Sequence, residues 1–150
     1  RLTDIQAALG LSQLKRLDTF IAKRRKIASK YNQLLKDLDG ISTPYEPNYS
    51  NSGWHLYIIK LDQGLDRREI YEALIAENIG VMVHYIPVFY HPHYIELGHD
   101  QTQCPNVRTS YEKIISLPIF PKMKNKDILS VVSALKKVIQ YYSSKGLSKS

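Results

Sequence analysis

The chain contains 150 residues, 43% hydrophobic and 23% charged, with 7 Gly, 7 Pro and one Cys. This composition is sufficient for one cored domain and argues against a disordered chain, a collagen-like repeat or a disulfide scaffold. The 21 Lys and Arg against 14 Asp and Glu give a net charge of +7, which raises nucleic acid or an anionic surface as a partner until the charges are placed. The lone Cys104 cannot pair within the chain, so we expect a reduced, cytoplasmic setting. No secretory leader is recognisable and no apolar run has membrane-spanning length, so no membrane partner is expected.

A helix signal opens the chain. Thr3 and Gln6 have the spacing of a capping box, in which each side chain binds the backbone N–H of the other residue. Apolar residues then recur at three-, four- or seven-residue spacings: Leu11, Leu14, Leu17, Ile21, Ala28, Tyr31, Leu35 and Leu38. This pattern predicts one long helix over residues 4–38 that ends before Gly40. A helix of this length usually bridges two bodies or packs against a partner, so we expect its partner to lie outside this chain.

The middle of the chain alternates strand and helix signals. Residues 42–53 are rich in Pro, Asn and Ser and are predicted to form a loop or extended connection. Two segments rich in β-branched and aromatic residues are predicted strands: 54–61 and 79–85. Between them, Asp66 begins a helix that Gly80 terminates. Alternation along the second strand places Met82 and His84 on one face and four residues on the other, apolar face: Ile79, Val81, Val83 and Tyr85.

The last third contains a long loop, a strand and two helices. Residues 87–105 hold three Pro and are predicted to be loop, with a short helix over 106–113. Residues 114–119 form a third strand, which Pro118 restricts to a strand end or sheet edge. Asn125 is predicted to cap the final helix, and residues 143–150 to form a frayed polar tail. Together these elements predict an α+β domain with a small sheet.

The densest chemistry lies in residues 84–94, HYIPVFYHPHY, which hold three of the 5 His and three of the 11 Tyr. A rigid aromatic loop at a strand end suits a planar or sugar-like ligand, because ring faces stack on apolar surfaces while His and Tyr tips offer hydrogen bonds. The alternative is a well-packed loop that covers the sheet edge. A metal site is a further alternative, but its candidate ligands fit no standard zinc spacing, so no metal is expected. Those candidates are His91, His93, His99 and Cys104.

The charged and isolated residues give weaker signals. The basic run at residues 23–26 wraps around its helix and forms no single stripe for DNA, so a solvated face is the interpretation we favour. His55 beside Trp54 is an ordinary structural His unless it meets His84 on the sheet. No Gly-rich phosphate loop and no GxSxG elbow occur. From its residues alone, the chain has candidates for ligand binding and no complete catalytic apparatus.

Several segments in order resemble the DegT/StrS family of pyridoxal-phosphate (PLP)-dependent sugar-nucleotide aminotransferases. The segments that carry the resemblance are RLTDIQAALGLSQL at 1–14, WHLYII at 54–59, IGVMVHYIPV at 79–88, HPHY at 91–94, CPNV at 104–107 and SLPIFP at 116–121. The resemblance covers nearly the whole chain. It is nearer to the members that make amino sugars for surface or spore-coat polysaccharides than to the antibiotic-sugar enzymes.

The resemblance implies that this chain is the small C-terminal domain of a homodimeric fold-type-I aminotransferase, with about three mainly antiparallel strands packed with helices. Residues 1–40 would be the long helix that links to a missing cofactor domain, 41–142 the small α+β domain, and 143–150 a tail. The Schiff-base lysine would lie in the missing domain, so no catalytic residue is carried over and the chain alone is expected to be inactive and to bind no PLP. Arg1 would lie near the cofactor of the neighbouring subunit.

The full enzyme would transfer an amino group from glutamate to a keto-sugar nucleotide, with PLP as the electron sink. By motif position the resemblance assigns substrate contact or loop support to four residues: His55, His84, Tyr85 and Tyr94. Two alternatives stay open. A sister class in the family has His in place of the lysine and performs dehydration, and a basic nucleotide- or nucleic-acid-binding module would account for the +7 charge.

Overall fold

The structure, a computed structural model, describes residues 2–100, 102 and 104–147. The described residues form an α+β fold with helices around a small antiparallel sheet, as the sequence predicted. In chain order the elements are α1 (Asp4–Leu14), α2 (Leu17–Leu35), β1 (Ile41–Ser42), β2 (Tyr57–Leu61), α3 (Arg67–Ala76), a 3-10 helix (Val88–Tyr90), α4 (Pro92–Glu96), α5 (Pro105–Tyr111), β3 (Ile114–Leu117) and α6 (Asn125–Leu147). Among these residues no helix is both long and apolar enough to cross a membrane.

The N-terminal helix is divided, so the prediction of one helix over residues 4–38 is wrong. The Arg16 N–H donates to the Gln13 carbonyl at 2.9 Å, which closes a tight turn, and the Phe20 N–H then bonds to the Arg16 carbonyl to begin α2. α1 buries no residue, whereas α2 buries Ile27, Ala28, Tyr31 and Leu35. Helices in proteins gain most of their stability from a packed apolar face. The packing that holds α2 therefore does not extend across the break to α1.

Two predicted helix starts are confirmed by their caps. The Gln6 N–H donates to Thr3 Oγ1 at 3.3 Å, and the Thr3 N–H donates to Gln6 Oε1 at 3.0 Å, which completes the capping box. At α3 the Glu69 N–H donates to Asp66 Oδ1 at 2.9 Å. Both caps satisfy first-turn N–H groups that have no partner within the helix.

The sheet has the order β1-β2-β3, and both pairings are antiparallel. Ile41 pairs with Leu61, and Ile59 pairs with Ile115. The predicted strand over 79–85 is wrong, because this segment contributes one isolated bridge, Met82 with Ser116. After Met82 the described residues of this segment make no further strand pairing, and the His84–Tyr85 peptide is cis. The third strand is instead the short β1, at the start of the predicted loop.

The core lies on one face of the sheet, where alternate strand residues meet α2, α3 and α6. The strands contribute Tyr57, Ile59, Leu61, Ile115 and Leu117. α6 contributes Ile128, Val131, Val132, Ala134, Leu135, Val138 and Ile139, at the helical spacing that the sequence shows. Because side chains alternate along a strand, Ile58 and Ser116 point to the opposite face, which α2, α3 and α6 do not cover.

Several boundaries differ from the predictions. β2 begins at Tyr57, because Trp54 has a φ of 47° that cannot continue a strand. The predicted loop over 87–105 contains the 3-10 helix and α4, since Pro92 occupies the first turn of α4, where its missing N–H costs nothing. The strand over 114–119 ends at Leu117, just before Pro118. Strands β2 and β3 are thus shorter than predicted, and the predicted loop contains two short helices.

The final helix begins and ends differently from the prediction. Asn125 is its first residue and not its cap. The Asn125 Oδ1 instead accepts a hydrogen bond from Lys30 Nζ at 3.0 Å. At the start of the helix, Asp127 Oδ2 accepts the Lys124 N–H at 2.7 Å. α6 continues to Leu147, so residues 143–147 of the predicted tail are helical. Within this extension the Ser144 hydroxyl donates to the Tyr141 carbonyl at 2.8 Å. Residues 148–150 lie outside the described residues.

Candidate functional site

The aromatic arm, residues 82–99, leaves the sheet from the edge of β3. Met82 and Ser116 exchange two backbone hydrogen bonds, with N···O distances of 3.2 and 2.8 Å. Val81, one residue earlier, is 1% exposed in the core, while Met82 points to the uncovered face. The arm therefore starts from a fixed point on the sheet and continues away from the core.

His84 is held on this uncovered face by a side-chain hydrogen bond. Its Nδ1 lies 2.9 Å from Ser116 Oγ, and Ser116 is only 4% exposed. The His84 ring contacts the edge of Tyr85, with centroids 4.6 Å apart and planes at 71°. His84 thus lies away from the apolar face, as the alternation predicted, and its Nδ1 is engaged, which leaves Nε2 as the ring nitrogen for a ligand.

Tyr85 and Tyr94 are the most exposed tyrosine rings of the arm, at 68% and 40%, followed by Tyr90 at 37%. Tyr94 lies on α4 between two His rings: His93 at 5.5 Å and His99 at 6.1 Å between centroids. The His99 N–H also donates to the Tyr94 carbonyl at 3.0 Å, which closes the end of α4. These contacts order the Tyr94 ring while leaving part of it open to a ligand.

The structure does not join His55 to this group. His55 is exposed in the bend before β2, between the buried Trp54 and the start of the strand. Trp54 packs 5.7 Å from the Tyr57 ring, whereas His55 has no hydrogen bond or ring contact within the described part of the chain. Of the four substrate residues assigned from the sequence, His84 and Tyr85 are in contact, Tyr94 is on the same arm, and His55 is separate.

Two other predicted features of the site have different outcomes. Arg1 lies outside the described residues, so its expected proximity to a cofactor is untested. The metal candidates include His91, His93 and the exposed Cys104. Within residues 2–100, 102 and 104–147, no group of three or more His, Cys, Asp or Glu is arranged to hold a metal ion.

The base of the arm is fixed by contacts that the sequence analysis missed. The Arg67 guanidinium lies 4.6 Å from the centre of the Tyr111 ring, a cation–π contact between α3 and the end of α5. Tyr111 in turn lies 6.2 Å from the Tyr90 ring of the arm. Phe89, next to Tyr90, is buried. Phe89 and Tyr90 thus connect the arm to the body of the domain, while Ser116 fixes the position of His84.

Two surfaces expose many large apolar side chains. On the arm these are Met82, Tyr85, Ile86, Val88, Tyr90, Tyr94, Ile95 and Leu97. At the N-terminus they are Leu2, Ile5, Leu9, Leu11, Leu14 and Leu17. Contiguous exposed apolar surface is uncommon on a soluble monomer and marks a binding site or an interface. The arm combines this surface with His and Tyr polar atoms, whereas α1 exposes mainly aliphatic side chains.

Comparison with known proteins identifies the family. The sequence pattern of the DegT/DnrJ/EryC1/StrS aminotransferase family matches residues 1–136, and the chain belongs to this family. The chain is 38% identical over 142 residues to the spore coat polysaccharide biosynthesis protein SpsC of Bacillus subtilis (strain 168). That alignment covers 91% of this chain and 36% of SpsC, so the chain spans little more than a third of this relative.

Solved structures show the same fold. Helicobacter pylori PseC, an aminotransferase involved in the biosynthesis of pseudoaminic acid, matches 94% of this chain and 38% of its own, with 28% identity and a TM-score of 0.87. DesV of S. venezuelae, solved in complex with a ketimine intermediate, matches 93% of this chain and 37% of its own, with 28% identity and a TM-score of 0.86. The resemblance to this family and the α+β fold predicted from the sequence are confirmed.

Proposed function

We propose that this chain is the C-terminal part of a PLP-dependent aminotransferase that transfers an amino group from glutamate to a keto-sugar nucleotide. The observation that carries the proposal is the family match over residues 1–136, which includes the whole aromatic arm. The similarity to a spore coat polysaccharide biosynthesis protein supports a role in surface or spore-coat polysaccharide synthesis. The lone, exposed Cys104 suits a reduced, cytoplasmic setting.

Two surfaces of the described residues lack groups that a PLP site needs. Such a site needs a lysine for the Schiff base, an aromatic or apolar surface for the ring, and groups for its phosphate and pyridine nitrogen. The aromatic arm contains no lysine. The cleft that lysines line between α2 and the start of α6 contains no aromatic ring and no carboxylate. We therefore assign the cofactor and its lysine to the part of the enzyme outside this chain, and we expect the chain alone to be inactive.

The arm is the surface that we assign to the sugar nucleotide. The exposed faces of Tyr85 and Tyr94 suit the apolar C–H surface of a sugar ring. His84 offers a polar atom at a fixed position, because its other nitrogen is bound to Ser116. Residues that are already ordered before binding lose little conformational entropy when the ligand arrives. These residues bind and orient the substrate and form no covalent bond with it.

The exposed apolar surface of α1 has a different role in this proposal. None of its residues is buried, and Leu9, Leu11 and Leu14 are each more than half exposed. Covering them would stabilise the assembly by about 25 cal/mol for each Å² of apolar surface removed from water. We assign this surface to packing against the cofactor-holding part of the enzyme, within a homodimer.

The test uses the longer protein that contains this chain, incubated with PLP, glutamate and a panel of keto-sugar nucleotides. We expect a PLP absorbance, formation of 2-oxoglutarate and an amino sugar. Sugar dehydration without consumption of glutamate would overturn the proposal in favour of the dehydratase class. A yellow, active preparation of the 150-residue chain alone would overturn the assignment of the cofactor to another part.

Variants of the arm test the substrate surface separately. Because His84 and Tyr85 contact the sugar and not the glutamate, His84→Ala and Tyr85→Ala should each raise the KM for the sugar nucleotide roughly ten-fold while leaving the glutamate half-reaction unchanged. Tyr49→Ala is the matched control, since Tyr49 is 93% exposed and lies outside the arm. Equal kinetic effects of all three variants, or loss of the glutamate half-reaction, would contradict the assignment.

A further inference from the structure

We propose that a cleft between α2 and the start of α6 binds a small anion that carries two or more phosphate groups. Five lysines line it and define what we call the lysine cleft: Lys23, Lys26, Lys30, Lys122 and Lys124. Its volume is about 530 Å³, within the range of small-molecule sites. No residue of the aromatic arm lines it, so the proposal does not depend on the proposed function.

The fold concentrates positive charge in this cleft. Helical spacing brings Lys23, Lys26 and Lys30 to one side of α2, and the turn before α6 brings Lys122 and Lys124 opposite them. The rest of the basic run turns elsewhere, as wrapping around the helix predicted: Arg25 lines a separate cleft beside Asp18. Lysines from two distant parts of the chain therefore face one volume.

These lysines have no carboxylate partners. No Asp or Glu lines the cleft, and none of the ion pairs in the described residues uses any of its lysines. Lys30 Nζ donates to the Asn125 side chain at 3.0 Å, which neutralises no charge. The nearest acid along this turn, Asp127, accepts the Lys124 N–H at the start of α6. An anion in the cleft would relieve the mutual repulsion of the ammonium groups.

The lining selects the chemical class of the ligand. Lysines bind phosphate as compact point charges, and several at once favour a multivalent anion over a single carboxylate. The apolar part of the lining is Ile27, Met123, Ile128 and Pro121, without an aromatic ring on which a base could stack. The N-terminal end of α6, a 23-residue helix, adds a partial positive charge at the wall that Asn125 forms. The cleft should therefore recognise the phosphate groups and not an attached nucleoside.

The test is a titration of the 150-residue chain with inorganic tripolyphosphate, followed by isothermal calorimetry and by NMR of the lysine side chains. We expect saturable binding that weakens when the salt concentration rises from about 50 to about 300 mM, because salt screens exposed charges. The double variant Lys26→Gln/Lys122→Gln should weaken binding roughly two- to thirty-fold, as two lost surface ion pairs predict. Among residues 2–100, 102 and 104–147, neither side chain makes a hydrogen bond or an ion pair, so the variant should fold normally.

The matched control is Lys15→Gln/Lys36→Gln, which removes the same net charge from outside the cleft and should change the affinity less than two-fold. Equal weakening by both double variants would overturn the proposal, because it would show a general response to net charge. Equal affinity for a nucleoside diphosphate and inorganic pyrophosphate is expected, and a strong preference for the nucleotide would overturn recognition through phosphate alone. The proposal would also be overturned if random-sequence duplex DNA bound more tightly than tripolyphosphate and the cleft variant abolished that binding. The ligand of the cleft would then be nucleic acid.

Discussion

The Tyr57–Asn32 hydrogen bond allows a sharp test of the packing between α2 and the sheet. Tyr57 is completely buried, and its hydroxyl donates to Asn32 Oδ1 at 2.6 Å. Its ring also lies 4.9 Å from the buried Tyr31, whose hydroxyl donates to the Pro118 carbonyl at 2.9 Å. Replacing Asn32 by Ala would leave the Tyr57 hydroxyl without this acceptor in the interior of the domain.

Removing the acceptor of this hydrogen bond should destabilise the domain more than removing the donor. An unsatisfied buried donor costs about 1–3 kcal/mol, so Asn32→Ala is expected to lower the free energy of unfolding by this amount, less about 0.6 kcal/mol for the better helix propensity of Ala. Tyr57→Phe leaves the acceptor of the half-buried Asn32, which water can reach, and should cost only about 0.5–1 kcal/mol. For a chain of this size, 1 kcal/mol corresponds to a Tm change of roughly 2–4 °C.

Urea unfolding of both single variants and the double variant gives the coupling free energy. We expect the double variant to lose about 0.5–1.5 kcal/mol less than the sum of the single losses, because each single change already breaks the same bond. Gln33→Ala is the matched control for helix propensity, since Gln33 is an exposed neighbour on α2 whose side chain has no hydrogen bond among the described residues. Additive losses, or an Asn32→Ala variant as stable as Gln33→Ala, would refute the reasoning.

Two further predictions concern stability. Burial raises the pKa of Tyr31 and Tyr57 above their usual value of 10.0, Tyr57 itself adding to the shift of Tyr31. Above about pH 10 the unfolded chain loses these protons while the folded chain keeps them. The free energy of unfolding should therefore fall by up to about 1.4 kcal/mol per pH unit for each Tyr. Urea unfolding of Tyr31→Phe should show a smaller decrease of this free energy with pH. Gly40 has a φ of +92°, and an added Cβ there would lie 3.0 Å from an Ile139 methyl. Gly64 has a φ of +93°, but an added Cβ would meet open space. Gly80 has neither a positive φ in this range nor a close neighbour. Thermal unfolding should therefore show the largest loss of stability for Gly40→Ala. Gly64→Ala should cost about 1 kcal/mol and Gly80→Ala almost nothing. Any other order would contradict this reasoning.

Local signals predicted the elements well wherever their own residues determine them. The capping pairs at Thr3 and Asp66 and the periodicity of α6 depend on neighbours within a few residues, and the structure agrees with them. The strand over 79–85 failed because its alternation shows only which residues are buried. Ile79 and Val81 do reach the core, yet only Met82 pairs with β3. Alternation therefore predicted the burial of Ile79 and Val81 correctly, but it also placed Tyr85 on the apolar face, where the structure leaves it 68% exposed. The hydrogen-bonded ladder was predicted incorrectly.

The candidate site was predictable in part for the same reason. The density of His and Tyr between residues 84 and 94 marks the arm without any knowledge of the fold. The residues that hold the arm in place could not be found in this way, since Ser116 is 32 positions from His84 and carries no distinctive motif. The contact of Arg67 with Tyr111 likewise joins α3 to α5. Which residues meet across such separations depends on how the chain folds, which a single sequence pattern does not encode.

The failed prediction for the N-terminal helix carries information about the complete protein. Apolar residues at helical spacing are typical of a helix face that packs against another surface. Leu11 and Leu14 continue the pattern of α2, yet both are more than 60% exposed, whereas Tyr31 and Leu35 of the same pattern are buried. The pattern thus spans two environments, the core of this domain and an exposed surface on α1. In the proposed enzyme the second surface packs against the cofactor-holding part, so its Leu side chains belong to an interface and not to the core of this domain.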